Sequence, residues 1–338
     1  MSSTDPIFIP NFNILQEDNI NVFSLGQTYD GSAHLLQIPD AHQKGYRGEG
    51  ITIGIIDDGY TPVDNLPDPK EIHSFGYGMD TSTHTGHGNL HMGIMAMQGK
   101  PFTGVLPNAD YVVCKYLGYK GGTLEYLGQA IHRCLDSGCD IISIASGQNG
   151  INYHKDVVDA LIRAVELDVP VHVAVGNSNR DVSFPANRPE AIGIGAIDYE
   201  KAPTDFQNFG ETLMFVSFGK NVVSTDHQGK HPRIEGTSFA GPLSAGCGGL
   251  LIQKHKAIYD RRPTITEYAN MLKVYSVDLT EIEGWDALTG YGLVSIDFFN
   301  DDFKSFKDLG QLDLEIVLKD PIQSPLKESK GCFGFFFW

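Results

Sequence analysis

Apolar residues fall along this chain in two alternating rhythms. Short, mostly β-branched runs occupy residues 51–56, 110–117, 141–144, 171–175 and 191–196. Each reads as a buried strand, because a strand covered on both faces is apolar throughout. Between them apolar positions recur at helical spacing. Thr123 can N-cap a helix whose face is Leu124, Leu127, Ile131, Cys134 and Leu135, with Gly138 closing it. Val157, Val158, Leu161, Ile162 and Val165 make a second such face, and a long Gly/Ala-rich helix is expected from about Ser238. Strand, helix and strand repeated in this way predict an α/β fold: a doubly wound, mostly parallel sheet with helices on both faces.

The two ends break the pattern. The first forty residues are polar apart from Ile7, Phe8 and Ile9 ahead of Pro10. Beyond residue 302, Leu312, Leu314, Ile316 and Leu318 alternate as in a strand, and the chain ends Gly-Cys-Phe-Gly-Phe-Phe-Phe-Trp. The expected organisation is an N-terminal extension over residues 1–40, a central α/β domain over 41–300 and a C-terminal extension over 301–338. The apolar residues 333–338 are expected to pack on the parent domain, since such a patch left exposed disfavours solubility.

Composition narrows the partners. The 338 residues carry 42 acidic against 25 basic side chains, a net charge of -17, which repels nucleic acid and acidic membranes. Cys114, Cys134, Cys139, Cys247 and Cys332 are odd in number, irregular in spacing and contain no CxxC pair. They read as reduced thiols in a cytoplasmic protein rather than as a zinc site or a disulfide frame. Residues 1–16 show neither a basic start nor an apolar core of a secretory signal, and no run is long enough for a transmembrane helix. A homo-oligomer stays open.

Parallel sheets place functional groups at the carboxyl ends of their strands. Asp57 follows the first run, in Ile56-Asp57-Asp58-Gly59. His87 begins His87-Gly88-Asn89-Leu90-His91-Met92-Gly93, and Ser238 lies in Gly236-Thr237-Ser238-Phe239-Ala240-Gly241-Pro242. A serine hydroxyl needs a base within hydrogen-bond reach, which a histidine supplies, and a carboxylate can hold that imidazole in the required tautomer. These three segments resemble, in order, the signatures of the subtilisin (subtilase) family. Gly104-Val105-Leu106-Pro107, Val175-Gly176-Asn177, Phe184-Pro185-Ala186 and Gly290-Tyr291-Gly292 resemble further family elements, so the likeness runs from about Ala41 to Ile296.

The resemblance implies a serine endopeptidase that works through an acyl-enzyme. Its triad would be Asp57, His87 and Ser238, with Asn177 donating to the oxyanion and no cofactor for the chemistry. It implies substrate contacts at Ala145, Ser146 and Gly147, and a P1 pocket lined by Ala174 and Gly176 with Ser183 near its base. The family's calcium loop corresponds to residues 97–102, which hold no Asp or Glu. That site is therefore doubtful, while calcium elsewhere stays open. His84 and His91 are expected to be structural, and His172, inside a strand, to be a hydrogen-bonded core histidine. Asp58 replaces a small hydroxyl residue of the family. It would either raise the His87 pKa or face solvent, and the second is the expectation. Phe8-Ile9-Pro10-Asn11 resembles the inhibitory element at the start of intracellular subtilisins. Two rivals are a cyclising protease with an amine acceptor and an inactive pseudoprotease that only binds.

Overall fold

The computed structural model describes residues 13–15, 30–76, 80–119, 121–281 and 283–299. Residues 8–11 and 301–338, which carry the expectations about the two ends, lie outside them. A short strand, β1 (Asn13–Leu15), comes first. Two short helices follow, α1 (Gly31–Leu35) and α2 (Ile38–Gln43). Asp30 caps α1 by accepting from Ala33 N at 2.9 Å. Ala33, Leu36, Ile38 and Ala41 enter the main core, so that core reaches back into the stretch expected to be extension. The polar composition around them hid these helices.

The main sheet has seven strands: β2 (Thr52–Asp57), β3 (Glu71–Ser74), β4 (Asp110–Lys115), β5 (Ile141–Ile144), β6 (Val171–Ala174), β7 (Ile192–Ile197) and β8 (Phe215–Phe218). They run in the order β3-β4-β2-β5-β6-β7-β8, and every pairing is parallel. The apolar runs supplied the five inner strands to within about two residues at each end, the ordinary uncertainty of such boundaries. β3 sits half-buried at one edge and carries one apolar residue, Ile72, so no apolar run announced it.

Helices surround this sheet in two groups. α3 (His87–Ala96) packs on α6 (Thr237–Tyr259), and α6 lies across β5, β6, β7 and β8. α4 (Leu124–Asp136) and α5 (Lys155–Glu166) pack together, with α4 against β2 and β4. The Thr123 hydroxyl caps α4 through Tyr126 N, as its sequence predicts. α7 (Ile265–Tyr275) is held by a capping box between Thr264 and Glu267. A second, antiparallel sheet joins β1, β10 (Arg233–Glu235) and β9 (Val222–Val223).

Strand order reverses at β2. The chain leaves β2 for β3, returns to β4 on one side, and then crosses to β5 on the other. Such a switch point opens a crevice at the carboxyl ends of the strands, and Asp57 is the last residue of β2.

His172 on β6 is fully buried, as expected of a core histidine. Its Nδ1 meets Ser244 Oγ at 3.0 Å and its Nε2 meets Tyr268 Oη at 2.8 Å. Burial pushes its pKa down to about 3, so the folded protein keeps this ring neutral. In the unfolded chain the ring titrates near 6.5, so it takes up protons that the folded chain refuses. The stability this confers is complete above that value and is lost as pH falls towards 3. We expect His172→Gln to flatten the decline of the unfolding free energy, measured with urea between pH 6.5 and 4, by about 1.4 kcal/mol per pH unit. An unchanged slope would place the acid sensitivity elsewhere.

Candidate active site

Asp57 ends β2 with its carboxylate fully buried and surrounded by donors. Oδ1 accepts from Asp58 N at 2.7 Å and from His87 Nδ1 at 2.8 Å. Oδ2 lies 2.9 Å from the same His87 nitrogen and 2.8 Å from His91 Nδ1. His87 and His91 are one turn apart on α3, so both rings fall on one face and share one carboxylate. His91 Nε2 then reaches Ser143 Oγ of β5 at 2.8 Å.

The electrostatics separate the two rings. Burial pushes the Asp57 carboxyl up, but the His87 charge and the hydrogen bonds from both imidazoles outweigh it and hold the group well below the usual carboxylate range. Burial pulls the His87 ring down, yet the charge and hydrogen bond of Asp57, helped by Asp58, leave it above an ordinary histidine. In His91 burial prevails over the same carboxylate, with the neighbouring His87 adding to it, and the ring is held low. One proton is therefore favoured on His87 and refused by His91.

Ser238 is the second residue of α6 and is fully buried, its Oγ donating to Ala145 O at 2.9 Å. Phe239, next along the helix, sets its ring 5.4 Å from the His87 imidazole. Asn177 follows β6. Its Oδ1 accepts from Thr237 N at 2.9 Å and Thr237 Oγ1 at 2.8 Å. These two bonds fix which way the amide points and leave Nδ2 beside Gly236, 3.1 Å from where a Cβ on that glycine would stand.

The residues expected to hold substrate also converge. Ala145, Ser146 and Gly147 follow β5, and Ala174 and Gly176 lie at the end of its neighbour β6. A Cβ on Gly147 would stand 2.9 Å from Ser183 Oγ, and one on Gly176 3.2 Å from the same atom. Ser183 Oγ itself donates to Val175 O at 2.8 Å, and Ser146 Oγ is bonded to the buried Tyr116 hydroxyl. Asn208 belongs to the same wall: a Cβ on Gly176 would come within 2.5 Å of its Nδ2, which donates to Asn149 Oδ1 at 3.1 Å. A lone asparagine in a loop gives no sequence signal. His91 did give one, the spacing of four residues from His87.

Asp58 corrects the sequence reading. It does not face solvent: it is 2% exposed and accepts from Thr83 Oγ1, His84 N, Thr85 N, Thr85 Oγ1 and Gly88 N. The doubtful calcium loop contributes Met97 and Phe102 to a small apolar cluster with Val223. Among the described residues no group of three or more His, Cys, Asp or Glu could hold a metal ion. No helix among them is long and apolar enough to cross a membrane.

The Subtilase family model matches residues 48–292, which takes in both signature helices and the whole main sheet. The chain is 28% identical to the intracellular serine protease of Paenibacillus polymyxa over 284 residues, 78% of this chain and 84% of that protein. It is 27% identical to subtilisin DY of Bacillus licheniformis over 245 residues, 69% of this chain and 87% of that one. Against the alkaline protease of Alkalihalobacillus alcalophilus identity is 28% over 251 residues, 73% of this chain but 65% of that protein. This chain belongs to the subtilase family.

Gly88 shows how tightly the site is built. A Cβ there would stand 1.9 Å from Gly59 O, a backbone atom that cannot swing aside. Gly88→Ala is expected to lower stability by about 3 kcal/mol through overpacking where α3 meets the end of β2. Urea unfolding measures this, and a variant as stable as the parent would show that the two segments can separate freely.

Proposed function

We propose that this chain is a serine endopeptidase that hydrolyses peptide bonds through an acyl-enzyme. The observation that carries the reading is the Asp57 carboxylate bonded to His87 Nδ1 at 2.8 Å, with Ser238 at the start of the neighbouring helix. Asp57 keeps the proton on Nδ1, so Nε2 is the basic nitrogen. The Ser238 hydroxyl turns from Ala145 O towards that nitrogen, gives up its proton and attacks the substrate carbonyl. The backbone N–H groups at the start of α6 and Asn177 Nδ2 stabilise the oxyanion. His87 passes the proton to the departing amine, and water repeats the sequence to release the acid.

Substrate would lie extended along Ala145–Gly147, pairing its main chain there as an added strand. Its P1 side chain would enter between Gly147 and Gly176 with Ser183 below. The partner is accordingly a protein or peptide, and the reaction needs no cofactor. A cytoplasmic location is supported by the relative described as intracellular and by Cys114, Cys134, Cys139 and Cys247, all free and buried.

The N-terminal extension is read as a built-in inhibitor. β1 pairs antiparallel with β10, Asn13 opposite Glu235 and Leu15 opposite Arg233. Asn13 thus lies opposite a residue three positions before Ser238, and Phe8-Ile9-Pro10-Asn11 comes just ahead of it in sequence. Asp57, His87 and Ser238 are each fully buried, as the residues of a covered site would be. A tethered peptide has an effective concentration of about millimolar, so weak strand pairing suffices to keep it in place.

Two experiments test these readings. Ser238→Ala should abolish peptidase activity and labelling by a fluorophosphonate while the fold persists. Labelling that survives the substitution would move the nucleophile elsewhere, and a folded parent that neither labels nor cleaves would favour a binding role. Removing residues 1–16 should raise the initial rate on a small peptide several-fold, and the free peptide added back should inhibit. Equal rates before and after truncation, with self-cleavage excluded by mass, would reduce β1 to a structural strand.

A further inference from the structure

α3 begins at His87, and its N-cap residue, Gly86, has no side chain with which to cap it. The first N–H groups of a helix have no partner within the helix and need acceptors from outside. Here they come from the segment before the helix and from the residue that follows β2. His87 N donates to Thr85 Oγ1 at 3.2 Å, and Gly88 N donates to Asp58 Oδ1 at 2.7 Å. Asp58 thus does for α3 what an N-cap side chain does, but from another element of the fold.

The same carboxylate holds the loop that leads into the helix. Thr83 Oγ1 donates to Oδ1 at 2.6 Å. Thr85 N and Thr85 Oγ1 donate to Oδ2 at 2.9 and 2.8 Å, and His84 N reaches it at 3.2 Å. Both hydroxyls pass the connection on: Thr83 Oγ1 accepts from Gly86 N at 2.9 Å, and Thr85 Oγ1 accepts from His87 N. Among the described residues each of these partners donates to Asp58, so its carboxylate serves here as an acceptor. Lys115, at the end of β4, secures the far side of the loop through Asp80 Oδ1, Ser82 O and His84 Nε2.

We infer that Asp58 is a positioning residue for the base: it caps the helix that starts at His87, aims that ring, and sets through its charge the pH at which the ring becomes basic. This rests on the reading of His87 as the base. A negative charge at a helix N-terminus is stabilising by itself. This one also lies next to the residue whose imidazole must gain and lose a proton, and it adds to the upward pull of Asp57 on that ring. The other ionisable groups around His87 are distinct in place. Asp57 faces it from the end of β2 and Asp58 from the residue after that strand, and His91 from its own helix. His84 and Lys115 stand across the loop, and His227 packs against Gly86, its Nδ1 2.4 Å from where a Cβ there would be. Of these, Asp58 alone bonds the backbone of the first turn of α3.

The test is the pH profile of kcat/KM for the full chain, for Asp58→Asn and for Asp58→Ser. It is paired with an NMR titration of the His87 ring in the Ser238→Ala background with and without the Asp58 change. Loss of the charge should move the acid limb and the His87 midpoint together to lower pH by about half a unit or more. The plateau should drop several-fold as the helix start loosens. A wild-type limb that does not follow the His87 titration overturns the reading of His87 as the base, and this inference with it. A limb that follows His87 but stays in place in a folded Asp58 variant, whatever its plateau, overturns this inference alone. So does failure of both variants to fold, since Asp58 would then be a folding requirement rather than a tuning charge.

Discussion

A single carboxylate, that of Asp57, organises the centre of the molecule. A buried charge is expensive unless donors surround it. Asp57 therefore gathers the N–H of Asp58 and one nitrogen from each of two imidazoles, all within 2.9 Å. The end of β2 is thereby fixed to the first two turns of α3. Through His91 and Ser143 the same contact extends to β5, whose following residues receive the Ser238 hydroxyl at Ala145 O. Displacing Asp57 would release a strand end, a helix and a neighbouring strand together.

Two histidines on one carboxylate could compete for a proton. The fold decides between them by what lies at the far nitrogen. His91 has Ser143 Oγ there, deep between helix and sheet, and burial keeps it neutral. His87 stands where the first turn of α3 meets the start of α6, and two acidic side chains draw its pKa upward. The second sheet closes on the same place. β10 runs into Gly236, Thr237 and Ser238, so a strand paired with β10 comes alongside the proposed nucleophile. On the proposed reading, inhibition and substrate capture both use backbone pairing at a sheet edge, and relief requires β1 to leave β10.

Much of the fold was legible in the sequence. The five inner strands and α4 and α5 were visible because a parallel sheet demands uninterrupted apolar runs and an amphipathic helix repeats its apolar face. The edge strand β3 and the helices α1 and α2 were not, since their packing depends on neighbours distant in sequence. The candidate site was legible as three short motifs in order. The motifs gave no warning that Asp58 would be buried, because a carboxylate after a strand suits solvent as well as it suits a ring of donors. Asn208 was equally hidden, its place beside Gly176 arising only when two loops meet.

The sequence by itself determined the family, the order Asp57, His87, Ser238 and the parallel sheet that carries them. Chemically demanding residues occupy short local motifs, and local motifs survive in one dimension. Tertiary structure alone decided which imidazole Asp57 would raise, what would cap the helix of His87, and where β1 would lie. Each of these depends on charges and hydrogen-bond donors from separate elements arriving within about 3 Å of one another, a distance that no sequence spacing encodes.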